Sequence, residues 1–228
     1  MKTLPILMLF TISSFAQTYI SGSVITNSVI NDGGVSHKGS GVITSKNITT
    51  SSFNKIDIDI PANVTIDRAD KKKISVKTDK NIIEKIKIYV KQNTLFIRTK
   101  GSFQSSKGID IILTNPHLNR LTIDGASTIK LNGFNEEKFT LTLDGASDVS
   151  FHNGNFDNFS IKADGSYGVD LTNVNIKEAK VKAEGSGDIK LNVSNYLQVD
   201  LKDTVEVKYL GHPKIKKSIK DVSELTHI

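Results

Sequence analysis

The chain has no cysteine, no tryptophan and only two methionines among its 228 residues. Without cysteine there is no disulfide framework, no thiolate metal site and no cysteine near the N-terminus to carry a lipid. Arginine is scarce as well: Arg68, Arg98 and Arg120 are the only three. The net charge of +6 comes from lysines scattered among acids, and aromatic residues make up 7%. Nucleic-acid binders gather basic charge on one face and add stacking aromatics, so a nucleic-acid partner is not expected. Beyond the first residues no apolar run is long enough to span a bilayer as a helix, and no transmembrane segment is expected.

The N-terminus reads as a targeting segment. Lys2 supplies a positive start and the run from Leu4 to Ile12 is short and apolar. Ser14-Phe15-Ala16 then places small residues where a signal peptidase reads them, so residues 1–16 are expected to be a signal peptide. The protein is thus expected to be exported, to the periplasm, the cell surface or the medium. Residues 17–52, rich in Ser, Gly and Thr, read as a loosely ordered leader ending in strand pieces near Val42-Ile43. From Phe53 apolar residues alternate: Ile56, Ile58 and Ile60 are separated by Asp57 and Asp59, and Pro61-Ala62-Asn63 makes a turn. Residues 53–117 are expected to form an N-terminal β-strand region. Its one helical candidate, Asn81–Lys87, is short and β-branched, which disfavours helix.

A repeat dominates the rest. Leu121-Thr-Ile-Asp-Gly-Ala-Ser127 recurs as Leu141–Ser147, Ile161–Tyr167 and Val181–Gly187, with glycines at 125, 145, 165 and 185. A degenerate copy runs from Val199 to Tyr209. Aligned this way, Leu121, Leu141, Ile161, Val181 and Val199 form one apolar column, and Ile129, Val149, Val169, Ile189 and Val207 a second. Leu131, Phe151, Leu171, Leu191 and Tyr209 form a third, and Phe139, Phe159, Ala179 and Leu197 a fourth. A fixed period near twenty points to stacked repeats. The expectation is an all-β fold, a right-handed parallel β-helix or solenoid with coils of about 20 residues, covering 118–211. Residues 212–228, with Lys214, Lys216, Lys217 and Lys220, read as a basic C-terminal cap or tail that blocks edge pairing.

These features resemble the head GIN domain family, autotransporter adhesin heads common in exported proteins of Bacteroidetes. The resemblance rests on the signal peptide, on Gly39-Ser40-Gly41 ahead of Phe53-Asn-Lys-Ile56, and on the Gly-Ala-Ser repeats at 125–127 and 145–147. The closing Val207-Lys-Tyr-Leu-Gly-His-Pro213 adds to it. The sequence departs from the pattern at Gly165-Ser-Tyr167 and at Leu201-Lys-Asp-Thr204. The resemblance implies an exported β-helical domain and no catalytic residues.

No reactive constellation stands out. His37, His117, His152, His212 and His227 are isolated in sequence, and Ser127 and Ser147 have no histidine in a matching position to activate them. Asp144 and Asp164 would lie about 5 Å apart, close enough for a retaining carboxylate pair. The same acid recurs at Asp124 and Glu184, however, and a position repeated four times speaks for architecture. A bound Ca²⁺ could screen this column, yet no Asp-rich calcium loop is present and solvation is the simpler expectation. No catalytic, cofactor-binding or metal-ligating residue is assigned, and no cofactor is expected. The function expected is a non-catalytic binding or adhesin-like module for an envelope or extracellular protein or glycan. The alternatives are a structural envelope protein that contacts itself, as a homo-oligomer, or other subunits, and a β-helical polysaccharide-cleaving enzyme.

Overall fold

The computed structural model describes residues 37–228. The expected signal peptide and most of the expected leader lie outside the described residues. The strands are β1 (His37–Lys38), β2 (Ile43–Ile48), β3 (Lys55–Asp59), β4 (Ala62–Arg68), β5 (Lys73–Asp79), β6 (Ile86–Lys91), β7 (Thr94–Thr99) and β8 (Phe103–Gln104). They continue as β9 (Asp110–Asn115), β10 (Arg120–Asn132), β11 (Asn135–Ala183), β12 (Ser186–Leu201), β13 (Thr204–Leu210), β14 (Lys214–Ile219) and β15 (Glu224–His227). Where helix was weighed, at Asn81–Lys87, the backbone makes one 3₁₀ turn at Ile83–Lys85 and then enters β6.

The fold is all-β, but the right-handed parallel β-helix expected from the repeat is not its architecture. A solenoid of that kind is built from parallel ladders, whereas here β2–β5, β5–β9 and β6–β7 are antiparallel. The strands join in one 13-stranded mixed sheet, not a closed solenoid, with β1 and β8 forming a separate parallel pair. Local chemistry explains the reversals. Gln92 and Asn93 both adopt positive φ (50° and 59°). Two such residues between paired strands turn the chain straight back on itself, and β6 and β7 form a hairpin.

Within the mixed sheet the repeats pair in parallel, like on like. Leu121 faces Leu141, Gly125 faces Gly145 and Ser127 faces Ser147. The apolar columns turn inward and are buried, apart from Tyr209, which is partly covered. The Phe139 and Phe159 rings stack with centroids 5.1 Å apart, and Phe151 meets Phe139 edge-on at 5.2 Å. Polar ladders run beside them: Asn155 Nδ2 donates to Asn135 Oδ1 at 2.7 Å, and Asn175 Nδ2 donates to Asn155 Oδ1 at 2.9 Å. The period shortens from twenty residues to eighteen through a register shift between Leu171 and Glu178, after which Val181 faces Val199. Residues 212–228, read from sequence as a cap or tail, contribute β14 and β15, which pair in parallel with β12 and β13.

The glycine column is a steric requirement. Gly125, Gly145, Gly165 and Gly185 have φ of 101°, 104°, 99° and 89°. A Cβ on Gly145 would lie 2.8 Å from the Gly125 carbonyl oxygen, and the next two repeats are tighter still. At Gly145, Gly165 and Gly185 both the dihedral and the stacking distance exclude a side chain, while at Gly125 the dihedral alone calls for glycine.

One buried charge ties the N-terminal segment to the sheet. Asp79 is fully buried and lacks a cationic partner among its hydrogen bonds. It accepts hydrogen bonds from the Gly41 and Ser106 amides (2.7 and 2.8 Å) and from the Ser105 and Ser106 hydroxyls (2.7 and 2.6 Å). Burial pushes its pKa up, but these donors outweigh it and hold the carboxyl at about 2, below the ordinary 3.8. A Cβ on Gly39 would stand 2.6 Å from the carboxylate, so Gly39-Ser40-Gly41 is a loop shaped to wrap an acid.

Two outcomes are expected. Gly145→Val should lower the free energy of urea unfolding by about 2–4 kcal/mol, the cost of a strained backbone site, while Thr142→Val, half-exposed on the outer face, should change it little. Equal, small effects would remove the steric argument. Because the Asp79 pKa is depressed, its stabilisation is complete above the unfolded value and disappears as pH falls from about 4 to about 2. Asp79→Asn should therefore cost on the order of 2 kcal/mol at pH 7, and the gap to the parent chain should close near pH 2.

Candidate functional site

A concave part of the described outer surface lies over the second half of each repeat. Parallel register brings Thr128 beside Asp148, Gly168 beside Asp188, and Asp188 beside Glu206. The neighbouring row holds Lys130 beside Ser150, Asp170 beside Lys190, and Lys190 beside Lys208. Gly168 interrupts the first row. A Cβ there would meet Asp148 Oδ1 at 2.5 Å, so the Asp148 side chain occupies space that any other residue would fill. The result is a shallow trough of about 600 Å³, floored by Ile129, Val149 and Val169 and rimmed by Asp148, Asp170 and Asp188.

The three carboxyls are not equivalent. Burial pushes Asp148 above the usual carboxylate range. Asp188 is also raised, by burial first and then by its hydrogen bond to Glu206 and the repulsion from it. Asp170 is lowered, because bonds from the Thr172 hydroxyl and amide (2.6 and 3.0 Å) outweigh its burial. Glu206 is lowered, chiefly by its 2.8 Å contact with Lys208. Asp148, lying over Gly168, and Asp188 are thus the two carboxylates least comfortable as unpaired anions. A cation or a hydrogen-bond donor seated in the trough against these two carboxyls would relieve both.

The acidic column named from sequence lies elsewhere, over the first half of each repeat. Asp124 faces Asp144, and the glycine stack continues the row to Asp164 and Glu184. Asp124 is pushed up by burial and by repulsion from Asp59 and Asp144, with Arg98 opposing. Lys182 and Lys202 approach Glu184 at 3.6 and 3.8 Å. Among the described residues, no group of three or more His, Asp or Glu has the geometry of a metal site.

The other sequence candidates separate. Ser127 and Ser147 are buried and donate to backbone carbonyls, Ser127 to Ile60 at 2.7 Å and Ser147 to Gly125 at 3.0 Å. His117 pairs with Glu136 at 3.3 Å. His212 and His227, far apart in the repeat pattern, come within 5.3 Å between ring centroids, and Tyr209 packs on His227. The trough itself was missed in the sequence. Its signal was the 128/148/168/188 column, in which Gly168 is the only residue without a side chain.

Residues 52–167 and 143–213 match the family model described as "Putative auto-transporter adhesin, head GIN domain". The chain belongs to that family. No curated protein matches the sequence. Solved structures with the same fold include a "putative adhesin" from Bacteroides fragilis, 20% identical, with a TM-score of 0.72 over 86% of this chain and 100% of that one. A "putative lipid binding protein" from Parabacteroides distasonis is 16% identical, with a TM-score of 0.56 over 84% of this chain and 98% of that one. A "putative adhesin" from Parabacteroides merdae is 14% identical, with a TM-score of 0.54 over 85% of this chain and 100% of that one. At such identities the likeness establishes the all-β fold of this head GIN domain. Among the described residues no helix is long and apolar enough to cross a membrane.

The pKa directions give a prediction. A carboxyl whose folded pKa is raised destabilises the fold above its unfolded pKa, and that penalty fades as pH falls towards the unfolded value. Asp188→Asn should therefore leave the melting temperature at pH 7 unchanged or higher. Any gain should vanish near pH 4. A clear loss at pH 7 would mean that Asp188 holds the fold together through contacts its surroundings do not reveal.

Proposed function

We propose that this chain is a non-catalytic, exported, adhesin-like binding module whose trough takes a cationic or hydrogen-bond-donating group of an envelope or extracellular partner. The observation that carries this reading is the Asp148 carboxyl lying over Gly168, next to Asp188 in the trough, two carboxyls whose surroundings disfavour their unpaired charge. Family membership supports the adhesin-like role, and the N-terminal pattern supports export, with cleavage after Ala16 leaving a mature chain that begins at Gln17. Residues 17–52 then lead into the head, their last part joining its sheet as β2, with 53–211 as its body and the basic segment 212–228 closing it.

Catalysis is disfavoured by the same geometry. The trough combines carboxylates with Lys190, and the hydroxyl bonded to one of its carboxylates, Thr172 on Asp170, sits in an ordinary turn where the Thr172 amide binds the same oxygen. The acidic column repeats one group along the sheet and does not set an acid against a distinct base.

The test is surface plasmon resonance on the mature chain, with a lysine hexapeptide and a panel of extracellular-matrix proteins as analytes. Salt-sensitive binding is expected, weakened about tenfold by Gly168→Thr, whose side chain would displace the Asp148 carboxylate, and by Asp148→Asn. Binding that ignores both variants would remove the trough from the reading. Release of reducing ends from polysaccharides by the purified chain would replace binding with catalysis.

A further inference from the structure

A second surface, carried by β6, β7 and β3 and sharing no residue with the trough, has the chemistry of a saccharide site. Tyr89 on β6 and Phe96 on β7 are cross-strand partners, their rings stacked at 5.3 Å with an interplanar angle of 19°. The Arg98 guanidinium lies over the Phe96 ring, 5.3 Å from its centroid. That guanidinium is fixed in place. Its Nη2 donates to Asp57 Oδ1 at 2.8 Å, its Nη1 donates to the Asp57 and Ile97 carbonyls at 3.2 Å, and Nε lies 3.6 Å from Asp59 Oδ2.

Tyr89 is 47% exposed, the most exposed aromatic side chain among the large apolar ones on the described surface. An aromatic ring left open beside an ordered guanidinium and two carboxylates presents two chemistries at once. The ring face accepts the apolar C–H face of a sugar. The carboxylate and guanidinium edges accept and donate hydrogen bonds to its hydroxyls. We propose that Tyr89, Phe96 and Arg98, with Asp57 and Asp59, form a binding site for a neutral saccharide.

Other occupants fit the surroundings less well. Among the described residues β6 pairs only with β7, as an edge strand, and exposed Lys87 and Lys91 flank Tyr89 on it. Lysines on an edge strand oppose the addition of another strand, whether from a second copy or from a peptide. An anionic lipid surface would meet Asp57, Asp59 and the Asp124–Asp144 column next to the platform. A neutral polyhydroxylated ligand meets no repulsion there, and the column offers it a row of acceptors. The strand spacing of about 4.8 Å sets the pitch of that row, close to the advance of one pyranose ring in an extended chain.

The site is independent of the trough, so the two can fail separately. The experiment is a ¹H–¹⁵N NMR titration of the mature chain with cellohexaose, chitohexaose and mannohexaose in turn, followed by calorimetry on any that bind. The expected result is that at least one shifts the amide signals of β6 and β7. Tyr89→Ala should then weaken it about tenfold, Tyr89→Phe should hold it within about threefold, and Arg98→Lys should weaken it as Tyr89→Ala does. Gly168→Thr should leave saccharide binding unchanged. No shift with any of the three at millimolar concentration would overturn the proposal, as would shifts confined to the trough or affinity that survives Tyr89→Ala. Tyr89 is a surface residue, and an unchanged melting temperature in Tyr89→Phe keeps the comparison clear of folding defects.

Discussion

Much of the structure depends on one constraint, that equivalent residues of successive repeats lie in register in parallel strands. Once Leu121 is opposite Leu141, every other residue of the repeat is also set against its own counterpart. Apolar columns gain from this because like shapes pack in layers. Glycine is forced at the position where the backbone of one repeat presses on the next, and asparagine amides at 135, 155 and 175 bond to one another because each donates where its neighbour accepts. The cost falls on charge. Carboxylates are stacked at the strand spacing; their repulsion adds to burial in raising the Asp124 pKa, and Arg98, Lys182 and Lys202 lie against the row.

The same constraint explains how a departure in one repeat is accommodated in the next. Where the pattern puts serine at 127 and 147, position 167 is tyrosine, far larger than the corner it enters. Its partner in register is Gly187, where a Cβ would overlap the Tyr167 ring. The tyrosine is buried over that gap and its hydroxyl donates to the Glu184 carbonyl at 3.1 Å. Tyr167 and Gly187 are thus one substitution spread over two repeats, and neither makes sense alone. Burial pushes the phenol pKa up, so it stays neutral and keeps its proton for that bond.

How much of this was legible depends on the range of the interaction. The columns and the glycine requirement are periodic, so a linear reading finds them at Gly125, Gly145, Gly165 and Gly185. Extrapolating that period to a parallel β-helix failed because the N-terminal strands obey local turn chemistry. Gln92-Asn93 is a hairpin turn without the glycine that usually announces one, and β5 enters antiparallel between β2 and β9. Gly39-Ser40-Gly41 was visible as a motif, but its reason was not, since Asp79 lies some forty residues on in sequence and nothing nearby marks it as buried. The trough was hidden for a related reason: its defining residue is Gly168, and an absent side chain in an outward column carries no signal until its neighbours are known.

Both candidate sites arise where the repeat is broken. A perfectly regular outer face would present identical rows and no one place to hold a particular ligand. Gly168 removes a side chain from one row, and the Asp148 carboxylate lies over the gap, next to Asp188. At the other end the parallel stack gives way to the β6–β7 hairpin, and the edge strand so formed carries Tyr89 with its ring uncovered. Arg98 belongs to both patterns: it neutralises the end of the acidic stack through Asp57 and Asp59, and it lies against the aromatic pair. Replacing it would therefore release two carboxylates from their cation and free the Phe96 ring together. Specificity in this fold lies in such irregularities, while the repeats supply the rigid surface that holds them in place.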